Sequence, residues 1–558
     1  MFKHRSHGKA EKILNSTLLV GLVSILWFVF RTGTKPSRIT YPCQKAALTS
    51  SSAIFGAFLP ISAACLFVNT EKWLSKRGKA ITLLIVLATA FLIGEPFLGL
   101  LKPTQAVNPN QEIRLALESR NATASPASDI YAVSGRANAH ISELFNLMGA
   151  HGLLFYKSSA SGVNRGPNGL VASNDVVLIK INMLWGQRGG TNTDMLKELI
   201  QAIVNHPDGF TGEIVVSDNG QGYGSMHWQE SNAEDPTQST QDVVNMFSAT
   251  HNISTYSWEP IRGTRVNEYV QGNYDDGYIR YDTADPETGI YITYPKFRTV
   301  FGTYISFKHG IWNGTAYENR LKVINMPILK THYRFGVTGA VKHYIGVNSE
   351  NSLGQGGLGN GHNSVATGGM GTLMVETRLP TLNIVDAIWV NANAPPSTMA
   401  GPQTAYGSAT RANTLIAGTD PVALDYWAAK HVLVQASQLI GYNDTHTLHP
   451  DSANATGLQQ NTPFGTWLNR TENEVLAAGY NATTDENHMN IYVRSETTVG
   501  DVDRNGKVDV FDMYRLGKAY SSRPSQPNWN AYCNFNSDDL IDELDLATAS
   551  RNYGETQS

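Results

Sequence analysis

Five side chains able to carry or move a proton, Lys330, His332, Arg334, Lys342 and His343, fall within fourteen positions of one another. They follow an apolar run, Val323 to Leu329, that Pro327 interrupts, a pattern for an edge strand or a strand end. Gly336 and Gly339, between the two basic clusters, are expected to loosen the backbone. Loops at strand ends are where α/β proteins place ligands, so the stretch suits an anion or carboxylate site, with a histidine as general acid or base near neutral pH. The plainer alternative is a solvated basic loop whose histidines satisfy local hydrogen bonds.

A second pattern lies near the C-terminus. Residues 501–512 place oxygen-bearing side chains at loop positions one, three, five, nine and twelve: Asp501, Asp503, Asn505, Asp509 and Asp512. Gly506 falls where such a loop bends, and Lys507 would offer its backbone carbonyl at position seven. That is the donor set of a hard cation taking six to eight oxygens, and calcium is the ligand expected. Residues 534–545 repeat it with Asn534, Asn536, Asp538, Asp542 and Asp545, and Leu540 at the carbonyl position. Asp539 replaces the glycine and Asn534 the first aspartate, so this second loop is expected to bind calcium more weakly.

The elements that must position these residues belong to a chain of 558 residues, too long for one ordinary core. A net charge of −4 without a long basic run argues against nucleic acid as a partner. Three cysteines, Cys43, Cys65 and Cys533, with no C-x-x-C, exclude cysteine-based iron–sulfur and structural zinc sites. Three apolar runs, 13–30, 46–68 and 80–101, are each about long enough to cross a bilayer core of roughly 30 Å. The distribution of lysine and arginine around them predicts the N-terminus inside and everything after residue 102 outside. A multi-pass cell-membrane protein with an outward-facing ectodomain and C-terminus is therefore expected, and seven sequons, from Asn121 to Asn481, are compatible with that side. Residues 103–128 turn polar and read as a linker.

Residues 129–496 alternate helical and strand periods. Residues 138–150 carry one apolar helical face, 175–181 a buried strand, 193–205 an amphipathic helix capped by Asn192 or Thr193, and 213–217 another strand. This β–α–β order implies a parallel sheet with a right-handed crossover. A helix at 366–378, strands at 382–390 and 413–417 and a helix at 420–434 continue it, while about 222–310 reads as a β-rich insertion with short strands at 277–283 and 289–294.

The runs VVLIKINM, INMPILKTH, VTGAVKHYIGV, LNIVDAIWV and IAGTDPVALDYWAA resemble, in order, blocks of the domain of unknown function 362 family over roughly 130–495. The resemblance implies no particular reaction. Some members carry a ferredoxin-like cysteine cluster region, which this chain lacks. Carried over block by block, it points to Lys180, Asn182, Lys330, His332, Lys342, His343 and Asp386 as site residues, with Asp420 and Asp425 beyond them. Two alternatives stand beside an anion site. His332, His343, His362 and Asp386 could hold a metal, although their spacing matches no zinc motif, and Asp420 reads equally well as an ordinary helix cap. Gly354–Gly359 fits G-x-G-x-x-G without the β–α setting that a dinucleotide needs.

The two loop–helix repeats resemble a type I dockerin, which implies a cohesin-type partner or docking on the chain's own ectodomain. The expected architecture is thus a three-helix transmembrane region (1–102), a linker, an α/β parallel-sheet ectodomain with a β-rich insertion (129–496) and a small α-helical dockerin-like (EF-hand-like) domain (499–558). Two functions fit it. One is an enzyme or small-anion binder at the Lys/His/Asp site, and the other is a non-enzymatic surface scaffold assembling through the calcium module.

Overall fold

In the computed structural model the chain divides into two units, Met1–Thr104 and Gln105–Ser558. The structure describes residues 113–555, without 114, 136–140, 223–225, 231–236, 352–355, 397–405, 496–499, 503–506, 524–525, 527, 531–532 and 536–539. All apolar runs before residue 102 lie outside the described residues. Among the described residues no helix is long and apolar enough to cross a membrane. The three-helix transmembrane region and the multi-pass localisation are therefore not supported, because hydropathy of a run fixes neither its helicity nor its setting.

Strand-length apolar runs in the middle of the chain form one mixed sheet. Its members are β1 (Ser128–Ser134), β2 (Val176–Lys180), β3 (Glu213–Asp218) and β4 (Asn252–Ser257). After the insertion, whose strands are β5 (Gly277–Arg280), β6 (Thr293–Arg298), β7 (Tyr304–Ser306), β8 (Gly310–Trp312) and β9 (Tyr317–Glu318), come β10 (Leu321–Asn325), β11 (Ile328–His332) and β12 (Gly336–Thr338). β13 (Leu382–Asn391), β14 (Thr410–Gly418) and β15 (Met489–Ser495) complete it. The main order is β15-β1-β14-β13-β10-β2-β3-β4, with β11 paired to β13 and β12 paired to β11. β13, β10, β2, β3 and β4 are mutually parallel, and β14 runs antiparallel to β13 and to β1.

Chain order runs outward from β2 through β3 to β4 on one side, and from β10 to β13 on the other. Between β2 and β10 the order reverses, which makes a crevice outside the carboxyl ends of these two strands the natural ligand position. The insertion forms its own five-stranded antiparallel sheet and extends to Glu318, beyond the expected end near 310.

Alternation along β2 shows how the sheet is buried. Val177 and Ile179 join a core with α1 (Ile141–Ala150), α2 (Thr193–Val204) and α3 (Thr240–Ser248), while Val176 and Leu178 join a core on the other face. That second core takes in α4 (Gly369–Glu376), α5 (Pro421–Ala428) and α6 (Phe464–Ala477). The helix expected over 420–434 is α only to Ala428, and a π turn, Ala429–Leu433, follows.

The C-terminal repeats form α7 (Val510–Ala519) and α8 (Glu543–Arg551) around a separate small core of Val502, Leu516, Ala519, Cys533, Ile541 and Ala549. Val508 pairs with Gly554 and Glu555 as Ile541 pairs with Ser521 and Ser522, so the two halves exchange equivalent backbone bonds.

Candidate functional site

A row of polar residues crosses the carboxyl edge of the parallel sheet. Asn325 at the end of β10 is in register with Lys180 at the end of β2 and with Asn383 of β13, and Lys180 is in register with Ser217 of β3. Lys180 Nζ donates to Asp218 Oδ1 at 2.7 Å and to the Ile181 carbonyl at 3.1 Å. Asp218 Oδ2 accepts the Met183 N–H, so one carboxylate ties together the ends of β2 and β3. Burial pulls the Lys180 pKa down and Asp218 opposes it.

Pro327 ends β10 rather than marking an edge, since β10 lies between β2 and β13. The chain then re-enters the sheet as β11, where Lys330 and His332 share one face. β12 returns antiparallel through Gly336, whose φ of +80° a side chain would resist. Helix α5 holds the next turn: Asp425 accepts the backbone N–H groups of Ala340 at 2.5 Å and Val341 at 2.9 Å. A Cβ on Gly339 would stand 2.2 Å from Asp425 Oδ1, so this glycine serves close approach and does not loosen the backbone as the sequence suggested. The turn delivers Lys342 and His343 at the start of a 3-10 segment, Lys342–Gly346, whose last glycine packs on the Lys180–Asp218 pair.

The basic stretch is no solvated loop. Lys330, His332, Lys342 and His343 are all buried. Burial, helped by Lys342 and opposed by Asp218 and Asp386, brings the Lys330 pKa down to about 7. Lys342 also falls to about 7, through burial and Arg334, against the pull of Glu350. Both histidines are pushed well below the usual imidazole range, first by burial and then by nearby lysines, chiefly Lys342 for His332 and Lys180 for His343.

Hydrogen bonding leaves the amines largely unused. Lys330 Nζ donates to the Gly189 carbonyl at 2.6 Å. Lys342 has no hydrogen-bond partner among the described residues and lies 5.3 Å from the centre of the Phe335 ring. His343 Nε2 and Asn182 Oδ1 are likewise buried without a partner.

Asp386 is electrostatically coupled to Lys330, yet its carboxylate is spent on scaffold, accepting the N–H groups of Asn192 at 2.7 Å and Ile388 at 3.1 Å. Burial raises its pKa to about 6. Asp420 is the cap of α5, taking bonds from Val422, Ala423, Ser128 and Thr483, away from the lysines. Among the described residues no three His, Cys, Asp or Glu side chains come together to hold a metal, so the His332, His343, His362 and Asp386 alternative fails. His362 instead contacts Glu350 Oε2 at 3.2 Å and stacks on Phe335. Of the glycines in the G-x-G-x-x-G run, Gly357 is pressed under the Glu350 backbone and Gly359 against Asn348.

Sequence reasoning missed Asp218, Asn325, Asn383 and Glu350. The first two carry a legible signal: each, like Lys180, is a polar residue closing an apolar strand run. Asn383 and Glu350 carry none, since only the fold brings them beside Asn325 and Lys342.

In the C-terminal loops, Asp503, Asn505, Asn536 and Asp538 lie outside the described residues. Asp509 and Asp542 are N-caps of α7 and α8, each in a capping box with Asp512 or Asp545. Asp512 and Asp545 are fully buried, and Asn534 Oδ1 is buried without a hydrogen-bond partner.

No curated protein and no solved structure matches the chain. No dockerin-like module is matched either, so that resemblance rests on the loop spacing alone. Residues 288–430, which hold Lys330, His332, Lys342, His343, Asp386 and Asp425, match the family described as a domain of unknown function (DUF362), and Lys180, Asn182 and Asp218 reach the same sheet edge from outside that match.

Proposed function

We propose that the carboxyl edge of the sheet between β2 and β10 binds a small anion, a carboxylate or a phosphate, against Lys330 and Lys342 and acts on it by acid–base chemistry. The observation that carries this is the pair of buried amines with one hydrogen bond between them, Lys330 to Gly189 and none from Lys342. A buried ammonium is costly unless paired, so both amines are poised near neutrality until an anion supplies the missing partner. His343 and His332 stand beside them as neutral rings, kept so by burial and by neighbouring lysines.

Calorimetric titration of inorganic phosphate and of succinate at pH 8, in two buffers of different ionisation enthalpy, tests the proposal. An anion raises both lysine pKa values, so binding is expected to take up protons, approaching about one per lysine. Lys330→Met and Lys342→Met are each expected to weaken binding by at least about tenfold. Absence of binding by both anions, or binding without proton uptake, overturns the proposal.

A second function rests on a different observation, the unpartnered Asn534 Oδ1 at position one of the second acidic loop. The loop spacing sets it with Asp545 in the second loop and sets Asp501 with Asp512 in the first, and calcium would take such side chains as ligands. In this reading the C-terminal unit makes calcium-dependent contacts with a protein partner. A thermal melt of the full chain with calcium or a chelator tests it: no calcium-dependent shift of any transition removes calcium from the account.

A further inference from the structure

His343 and His332 are wired to opposite ring nitrogens. Asn383 Nδ2 donates to the Gly418 carbonyl at 3.2 Å, which leaves Asn383 Oδ1 to accept from Asn325 Nδ2 at 2.9 Å. Asn325 Nδ2 also donates to the Ala340 carbonyl at 3.1 Å. Turning either amide over would set oxygen against a backbone carbonyl, so the relay has one orientation. Asn325 Oδ1 is thereby an acceptor, and the 2.7 Å contact with His343 Nδ1 requires the proton on that nitrogen. Nε2 of His343 is then the unprotonated nitrogen, and it is buried without a hydrogen bond. The Ile181 carbonyl favours the protonated form of the ring.

His332 is held the other way. Its Nδ1 accepts the backbone N–H of Arg334 at 3.1 Å, which places the proton of the neutral ring on Nε2. Both rings lie close enough to Lys330 and Lys342 to feel their charge.

We infer that His343 is fixed as the proton acceptor and His332 as the neutral hydrogen-bond donor of a proton-relocating site, with Asn325 as the positioning residue that sets the His343 tautomer. The inference rests on the proposed anion site and narrows its ligand to an anion carrying an acidic C–H next to a carbonyl. The His343 Nε2 lone pair bonds the proton, and the electron pair of the broken C–H bond moves toward the carbonyl oxygen. The His332 Nε2–H stabilises that oxygen without leaving its ring. Return of the proton from His343 to the carbon it left regenerates the carbonyl and restores both rings. No oxidant or reductant is needed.

The test is solid-state NMR of the full chain labelled with 15N-histidine, the two rings being assigned with His343→Gln and His332→Gln. Two neutral rings with inverted nitrogen pairs are expected: pyrrole-type Nδ1 and pyridine-type Nε2 at His343, the reverse at His332. Asn325→Ala is expected to abolish the single-tautomer pattern of His343 while leaving that of His332 unchanged. The same tautomer at both rings, or an unaltered His343 in Asn325→Ala, overturns the inference. If Asn325→Ala does not fold, the wild-type spectrum alone decides. Loss of phosphate binding with the inverted tautomers intact would instead count against the anion site.

Discussion

The sheet-edge site and the C-terminal loop pair are built on opposite plans. In the first, the amines of Lys180, Lys330 and Lys342 are drawn from three separate elements and buried, Lys180 paired with Asp218 and the other two with one hydrogen bond between them. In the second, Asp509 with Asp512 and Asp542 with Asp545 are neighbours in sequence that bond one another's backbone within a turn. A distributed site can hold groups away from their preferred protonation state because a whole fold pays the cost. A local motif cannot, and its acids are first of all helix caps.

That contrast can be broken most forcefully at Asp425. Asp425→Ala removes the acceptor of two buried N–H groups, and destabilisation of roughly 2–4 kcal/mol is expected in chemical denaturation, with Asp425→Asn intermediate. A loss below about 0.5 kcal/mol would mean that the turn carrying Lys342 and His343 is held by something else.

A gain of comparable size is expected at the lysines. Each amine has a folded pKa near 7 against an ordinary 10.5, so the unfolded chain binds more protons between these values and stability rises with pH across that window. Lys342→Met should therefore melt higher than the wild type, most at pH 7 and below, with the difference vanishing toward pH 10 at about 1.4 kcal/mol per unit. A pH-independent difference would show that Lys342 is charged and paired in the ligand-free protein.

Smaller effects are expected at the C-terminal loops. Asp512→Ala or Asp545→Ala loses a capping box, about 0.5–2 kcal/mol in the transition of that unit, and under the calcium proposal also abolishes its calcium-dependent shift. Smallest is Phe511→Ser, where a side chain 62% exposed leaves stability within about 0.5 kcal/mol. If Phe511→Ser instead unfolds the unit, its apolar helix face is structural and not a contact surface.

Periodicity and end signals were enough to place β2, α2 with its Asn192 cap, β3 and β13 to within a few residues, because those segments meet local preferences that the fold does not override. The sequence also singled out Lys330, His332, Lys342 and His343 as a basic cluster after an apolar run, and the family resemblance added Lys180 to them. It misjudged Gly339, whose role is set by Asp425 on a helix more than eighty residues away. The apolar N-terminal runs lie outside the described residues, among which no helix is long and apolar enough to cross a membrane. Tertiary structure alone decided that the lysines are buried, that Asp218 and not Asp386 pairs with Lys180, and that Asn383 and Asn325 orient His343. Burial and hydrogen-bond partners are properties of what packs around a residue, and strand order, not sequence spacing, brings β2, β10 and β13 side by side.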